Sequence, residues 1–172
     1  MRQSTALPMA LVFLRILMLL NWLSGAAILA LLIATVVAQD WTFRALGITP
    51  ESGIPGQIIG LQGVAALGVV AVVVNHGILR RLHDMVDTVR AGDPFVAINA
   101  YRLHTIAWLL LALQLISVTI AAIGKTISTP ANPIHLDAGF SASGWLAVIL
   151  TFVLARVFAE GTLMREDLDG TV

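Results

Sequence analysis

Four long apolar runs, separated by short polar breaks, organise the chain. The first covers residues 7–38 and contains Arg15; the second covers 57–79, the third 105–124, and the fourth 142–155 with apolar continuation to Phe158. A helix crosses the hydrocarbon layer of a bilayer in about 20 residues, so the runs predict four transmembrane helices. A cleaved secretory signal competes for the first run, because Val36-Val37-Ala38 resembles a small-residue cleavage site. The apolar core of such a signal is only about 7 to 15 residues long, however, and the run far exceeds that, so a retained span is expected.

The breaks differ in character. Two contain turn chemistry, Thr49-Pro50 with Ile54-Pro55-Gly56 in one and Thr129-Pro130 with Asn132-Pro133 in the other. Neither is long enough for an independent domain. The break between the second and third runs instead continues the helical pattern through residues 80–87, towards Gly92, which suits a left-handed C-terminal cap. Asp93 then has the character of an N-cap and Pro94 that of a first helical residue. A protruding helical hairpin between helices two and three follows.

Composition reinforces the class. Hydrophobic residues make up 58% of the chain and charged ones 12%, against about 25% charged in an ordinary soluble domain, which excludes a soluble globular enzyme. Ten basic and ten acidic residues balance, so total charge points to no nucleic acid or acidic substrate. Without cysteine there is no disulfide, thiolate nucleophile, iron-sulfur cluster or lipidated cysteine.

Placement of charge is more telling than its sum. One side of the four spans holds Arg2, Arg15, Arg80, Arg81, Arg90, Arg102, Arg156 and Arg165; the other holds Arg44 and Lys125. Basic residues are retained on the cytoplasmic side, so the expected protein is an all-α membrane protein with both termini and the hairpin cytoplasmic. Residues 1–172 then form a single four-helix transmembrane domain. Trp41 and Trp145 fall at the outer boundary and Trp108 near the inner one, while Trp22 sits deeper.

The stretch Gly92-Asp93-Pro94-Phe95-Val96-Ala97-Ile98-Asn99-Ala100-Tyr101-Arg102-Leu103 resembles a signature of the YoaS-like family of small bacterial four-helix membrane proteins, a family of unknown function. The ending Val157-Phe158-Ala159-Glu160-Gly161, with the residues from Leu163 to Val172, is similar to that family's C-terminus. The likeness is close in the second half and rests on hydropathy and loop layout in the first. It implies a multi-pass protein of the bacterial inner membrane, often encoded beside a small helix-turn-helix regulator and without established catalysis.

Candidate chemistry is sparse. The central parts of the spans contain no Asp, Glu, Lys or Arg, the groups that proton-coupled transporters normally need there. Gln114 and Ser117, three positions apart, read as hydrogen-bonding glue between helices. Gly56, Gly60 and Gly63 form a stripe where another backbone can approach closely, from this chain or from a second copy in a homo-oligomer. His76, Arg80, His83 and Asp87 share a helical face, but a guanidinium between the ligands repels a divalent cation, and the plainer reading is a solvated, salt-bridged face. His76 and His104 as haem ligands lack any attachment motif. No metal and no cofactor are expected. No catalytic constellation is present, and acidic residues offset Arg90, Arg102 and Arg165, which disfavours direct nucleic-acid binding.

What remains is recognition on the polar, cytoplasmic side. The expected function is that of a non-enzymatic regulatory protein that binds or sequesters a helix-turn-helix transcription regulator, the partner class the resemblance implies. The hairpin would contribute Asp93, Phe95, Asn99 and Arg102, and the tail Glu160, Arg165 and Val172, with Phe95 as an aromatic anchor. The alternative is a small oligomeric carrier or channel for an uncharged molecule, with Gln62 and Gln114 lining a polar path.

Overall fold

The computed structural model describes residues 6–45, 55–128 and 138–169. Its helices are α1 (Ala6–Val37), α2 (Gln39–Ala45), α3 (Pro55–Arg90), α4 (Ala97–Ile127) and α5 (Ala142–Asp169), and the described residues contain no strand. All except α2 are long and apolar enough to cross a membrane, so the protein is a multi-pass membrane protein. In hydrocarbon an α-helix satisfies every backbone group within its own segment, which is why such runs fold this way. Only 6% of the most apolar window of α1, and 11% of each of the others, is buried by protein. Few of these side chains are therefore fully enclosed by the rest of the chain. Trp22 is 57% exposed on α1.

Several threonine hydroxyls are satisfied locally. Thr35 donates to Leu32 O, Thr119 to Leu115 O, Thr151 to Ala147 O and Thr162 to Phe158 O, each one turn back on its own helix. The short α2, where an outer loop is expected from the polar Gln39, Asp40 and Arg44, continues from α1 by the same means. Ala38 N–H donates to Ala34 O and Thr42 N–H to Ala38 O, and the Thr42 hydroxyl lies 3.0 and 2.9 Å from those same carbonyls.

Two compact units can be distinguished. One comprises the α1 residues up to Asn21, Val74–Ala112 and the chain from Ser141 onward; the other comprises the described residues of Trp22–Val73 and Leu113–Phe140. The first contains an interhelical amide pair, in which Asn75 Nδ2 donates to Asn21 Oδ1 at 2.8 Å. In the second, Gln62 Nε2 donates to Thr35 O and Gln57 Nε2 to Ile127 O, tying α3 to α1 and to α4. Ser117 does not bridge spans. Its hydroxyl accepts from the N–H of Gly139 at 3.0 Å and lies 3.2 Å from that residue's carbonyl, anchoring the segment that leads to α5. Gln114 is half-buried on α4.

The glycine stripe on α3 is only partly a contact. A side chain on Gly60 would collide with Ile127 Cγ2, whereas a Cβ on Gly63 meets nothing within 4 Å, and Gly56 is exposed. The close approach of α1 and α3 in this unit instead uses Gly25, where a Cβ would lie 2.7 Å from Val72 Cγ1. Gly60→Leu should therefore destabilise the protein in detergent by about 1 to 3 kcal/mol through overpacking. Val73→Leu, on an exposed position, should change little. Equal melting of the two variants would refute the Gly60 contact.

Candidate functional site: the hairpin tip and the end of α5

Helix α3 ends in a Schellman motif. Asp93 N–H donates to Thr88 O and Gly92 N–H to Val89 O, with Gly92 at φ +90°, the left-handed conformation the sequence assigns to it. The next residues depart from the expected N-cap geometry. Pro94 is not the first helical residue, because Asp93 to Val96 stay non-helical and α4 begins at Ala97. Asn99 holds that segment. Its Nδ2 donates to Pro94 O at 3.0 Å and to Thr88 Oγ1 at 2.7 Å, while its backbone N–H donates to Val96 O.

Arg102 completes the hub by donating from Nη1 to Asn99 Oδ1 at 3.0 Å and to Asp84 O at 3.2 Å. Thr88 in turn donates to Met85 O. These bonds run from α3 to α4 across the turn and fix the hairpin. Asn99, expected as a partner contact, is 0% exposed and therefore shapes the surface from within. Arg102 is half-buried with its Nη1 engaged in the same way.

The remaining tip residues meet α5. Asp93 pairs with Arg165, 72 positions later. The Phe95 ring lies 5.2 Å from that of Phe158, and a Cβ on Gly161 would stand 3.0 Å from Phe95 Cδ1. Gly161 thus provides a shallow seat for the phenyl ring, which remains 42% exposed. Glu160 Oε1 accepts from Arg156 Nε at 2.8 Å, an exposed pair within α5. Val172 lies outside the described residues.

Three of the residues singled out in the sequence, Asp93, Phe95 and Arg165, therefore sit where the tip meets α5, whereas Glu160 pairs within α5. Sequence reasoning missed Thr88, Phe158 and Gly161 as their supports. The signal for Gly161 was a lone glycine late in a helix, which calls for a packing reason. Close in sequence to these residues, Ile98 at the start of α4 and Leu163 and Met164 on α5 expose large apolar side chains. Elsewhere on α3, His83 Nδ1 lies 3.6 Å from Asp87 Oδ2 on the same face. Among the described residues no three His, Asp or Glu side chains converge as metal ligands would.

A family model, described as a protein of unknown function (DUF2975), matches residues 49–172. No curated protein and no solved structure matches the chain.

Proposed function

The chain belongs to the DUF2975 family, and from that footing we propose that it is a non-enzymatic regulator of the bacterial inner membrane whose hairpin tip and α5 end bind a soluble cytoplasmic protein. The partner class is a helix-turn-helix transcription regulator, as the resemblance of the hairpin and C-terminal sequences implies. The observation that carries the reading is the joining of two distant, charged segments through Asp93–Arg165 and through Phe95 on Phe158 and Gly161. A recognition surface needs apolar anchors set in a polar rim. Ile98, Phe95, Leu163 and Met164 supply anchors beside Asp93, Arg165 and Asp167.

Orientation follows from the basic-residue bias. The hairpin end carries Arg80, Arg81, Arg90 and Arg102, with Arg156 and Arg165 on α5, and belongs in the cytoplasm together with both termini. Gln62, a candidate for a carrier's polar path, donates to a backbone carbonyl of α1, which favours a packing role. Regulation then takes the form of sequestration and release of the partner at the membrane surface.

Truncation after Gly161 tests this directly, because it removes Arg165 while leaving the apolar part of α5. The shortened protein should insert normally yet lose a co-purifying DNA-binding protein and change transcription of a small set of genes. Full recovery of that protein with the truncated chain would refute the reading.

A further inference from the structure

A groove of about 480 Å³ opens between α4 and α5 in the first unit. Its floor is shallow because Ala100, Ala155 and Ala159 place only methyl groups there. Three hydrogen-bond donors line it: the Tyr101 hydroxyl, the His104 ring and the Arg156 guanidinium.

The state of each donor matters. Trp108 Nε1–H donates to His104 Nε2 at 3.1 Å, so Nε2 is the acceptor nitrogen and the ring proton resides on Nδ1. Arg156 uses Nε for Glu160 and is 79% exposed, leaving both terminal amino groups available. Neither the Tyr101 hydroxyl nor His104 Nδ1 has a partner among the described residues. The groove thus offers positive charge and neutral donors, and Glu160, one turn along α5 from Arg156, is already engaged by its Nε.

Polarity is ordered along the helices. Phe152 lines one end, 5.7 Å from the His104 ring, and the Trp108 ring stands 5.6 Å from Phe152 just beyond the groove. Trp108 is one turn along α4 from His104, towards the apolar centre of the span, and is itself 56% exposed. Tryptophan prefers the headgroup level of a bilayer, which sets the donors at phosphate depth and the rings at the start of the acyl chains. A free phosphate would use the donors but not the aromatic end.

We propose that this groove binds the phosphate of an anionic phospholipid, held by Arg156, Tyr101 and the Nδ1–H of His104, with its glycerol and upper acyl carbons against Trp108 and Phe152. The site is independent of the partner surface proposed above, since it uses a different set of α4 and α5 residues.

The test is a titration of the purified full-length protein in detergent with phosphatidylglycerol, read by melting midpoint and by lipid adducts in native mass spectrometry. Phosphatidylcholine with the same chains and inorganic phosphate alone form the other arms. Phosphatidylglycerol should raise the midpoint and stay bound. Arg156→Gln should weaken its affinity about tenfold, the effect of losing a charge-assisted hydrogen bond. Tyr101→Phe and His104→Gln should weaken it by smaller factors, and Arg156→Lys should retain most of it. Glu160→Gln breaks the same intrahelical pair but should bind no more weakly than the native protein. Equal responses to the two lipids, native affinity in Arg156→Gln, or equal losses in Glu160→Gln and Arg156→Gln would overturn the proposal. A full midpoint shift from inorganic phosphate alone would also overturn it, by making free phosphate the ligand.

Discussion

Asn99→Leu is expected to open the hairpin far more often than any change on its exposed surface. The native side chain is fully enclosed and makes three hydrogen bonds, two donated to Thr88 Oγ1 and Pro94 O and one accepted from Arg102. Leucine of similar size fills the space but leaves the Pro94 carbonyl without that donor and Arg102 without that acceptor. Leaving one buried polar group unsatisfied costs about 1 to 3 kcal/mol, and about 2 kcal/mol corresponds to roughly a thirtyfold rise in local opening. Amide hydrogen exchange across residues 86–100 would read this directly. Ile98→Leu, at an exposed neighbouring position, should leave exchange unchanged. Equal protection in the two variants would show that the Asn99 network does not hold the turn.

Gly161→Leu should detach the hairpin tip from α5 without unfolding either helix. The new Cβ would stand 3.0 and 3.2 Å from two carbons of the Phe95 ring, which must already give way by a few tenths of an ångström, and the remaining three carbons of leucine should displace it from Phe158. Removing a half-buried phenyl from apolar contact, together with the ring pair, costs about 2 kcal/mol. The Arg165–Asp93 ion pair is partly exposed and contributes about 0 to 1 kcal/mol, so Arg165→Gln should have the weaker effect. Protease susceptibility at the turn around Gly92, in detergent-solubilised protein, should rise strongly for Gly161→Leu and slightly for Arg165→Gln. The reverse order would assign the junction to charge rather than packing.

The spans were legible because length and hydropathy suffice to place a membrane helix, and Gly92 was legible because a left-handed cap has a sequence signature. Seven residues containing Gln39, Asp40 and Arg44 have no such signature. Their helicity in α2 depends on its continuation from α1 and on the Thr42 hydroxyl. Pro94 fits a helix start by local preference, yet Asn99 binds its carbonyl and α4 begins three residues later, so tertiary bonding overrides the local signal.

The same limit applies to the recognition residues. Asn99 reads as surface because it is polar and lies beside charged neighbours, whereas the side chain is enclosed and bonded to Thr88, 11 positions earlier across the turn. Helical spacing groups Gly56, Gly60 and Gly63 on one face, but it does not specify the opposing element. Ile127 opposes Gly60, and nothing within 4 Å opposes Gly63. Phe95 was identifiable as an aromatic at the tip, whereas its seat on Gly161 depends on a contact 66 positions along the chain.

In the proposed function, the hairpin tip and the end of α5 form one surface for one soluble protein. Photo-crosslinking amino acids placed singly at Ile98, Leu163 and Met164, all exposed and close in sequence to the junction residues, interrogate that surface in native membranes, with Leu150 in the apolar part of α5 as the control. The account predicts the same DNA-binding protein crosslinked from the hairpin position and from both α5 positions, and lipid adducts alone from Leu150. Lipid adducts alone from all four positions would contradict it.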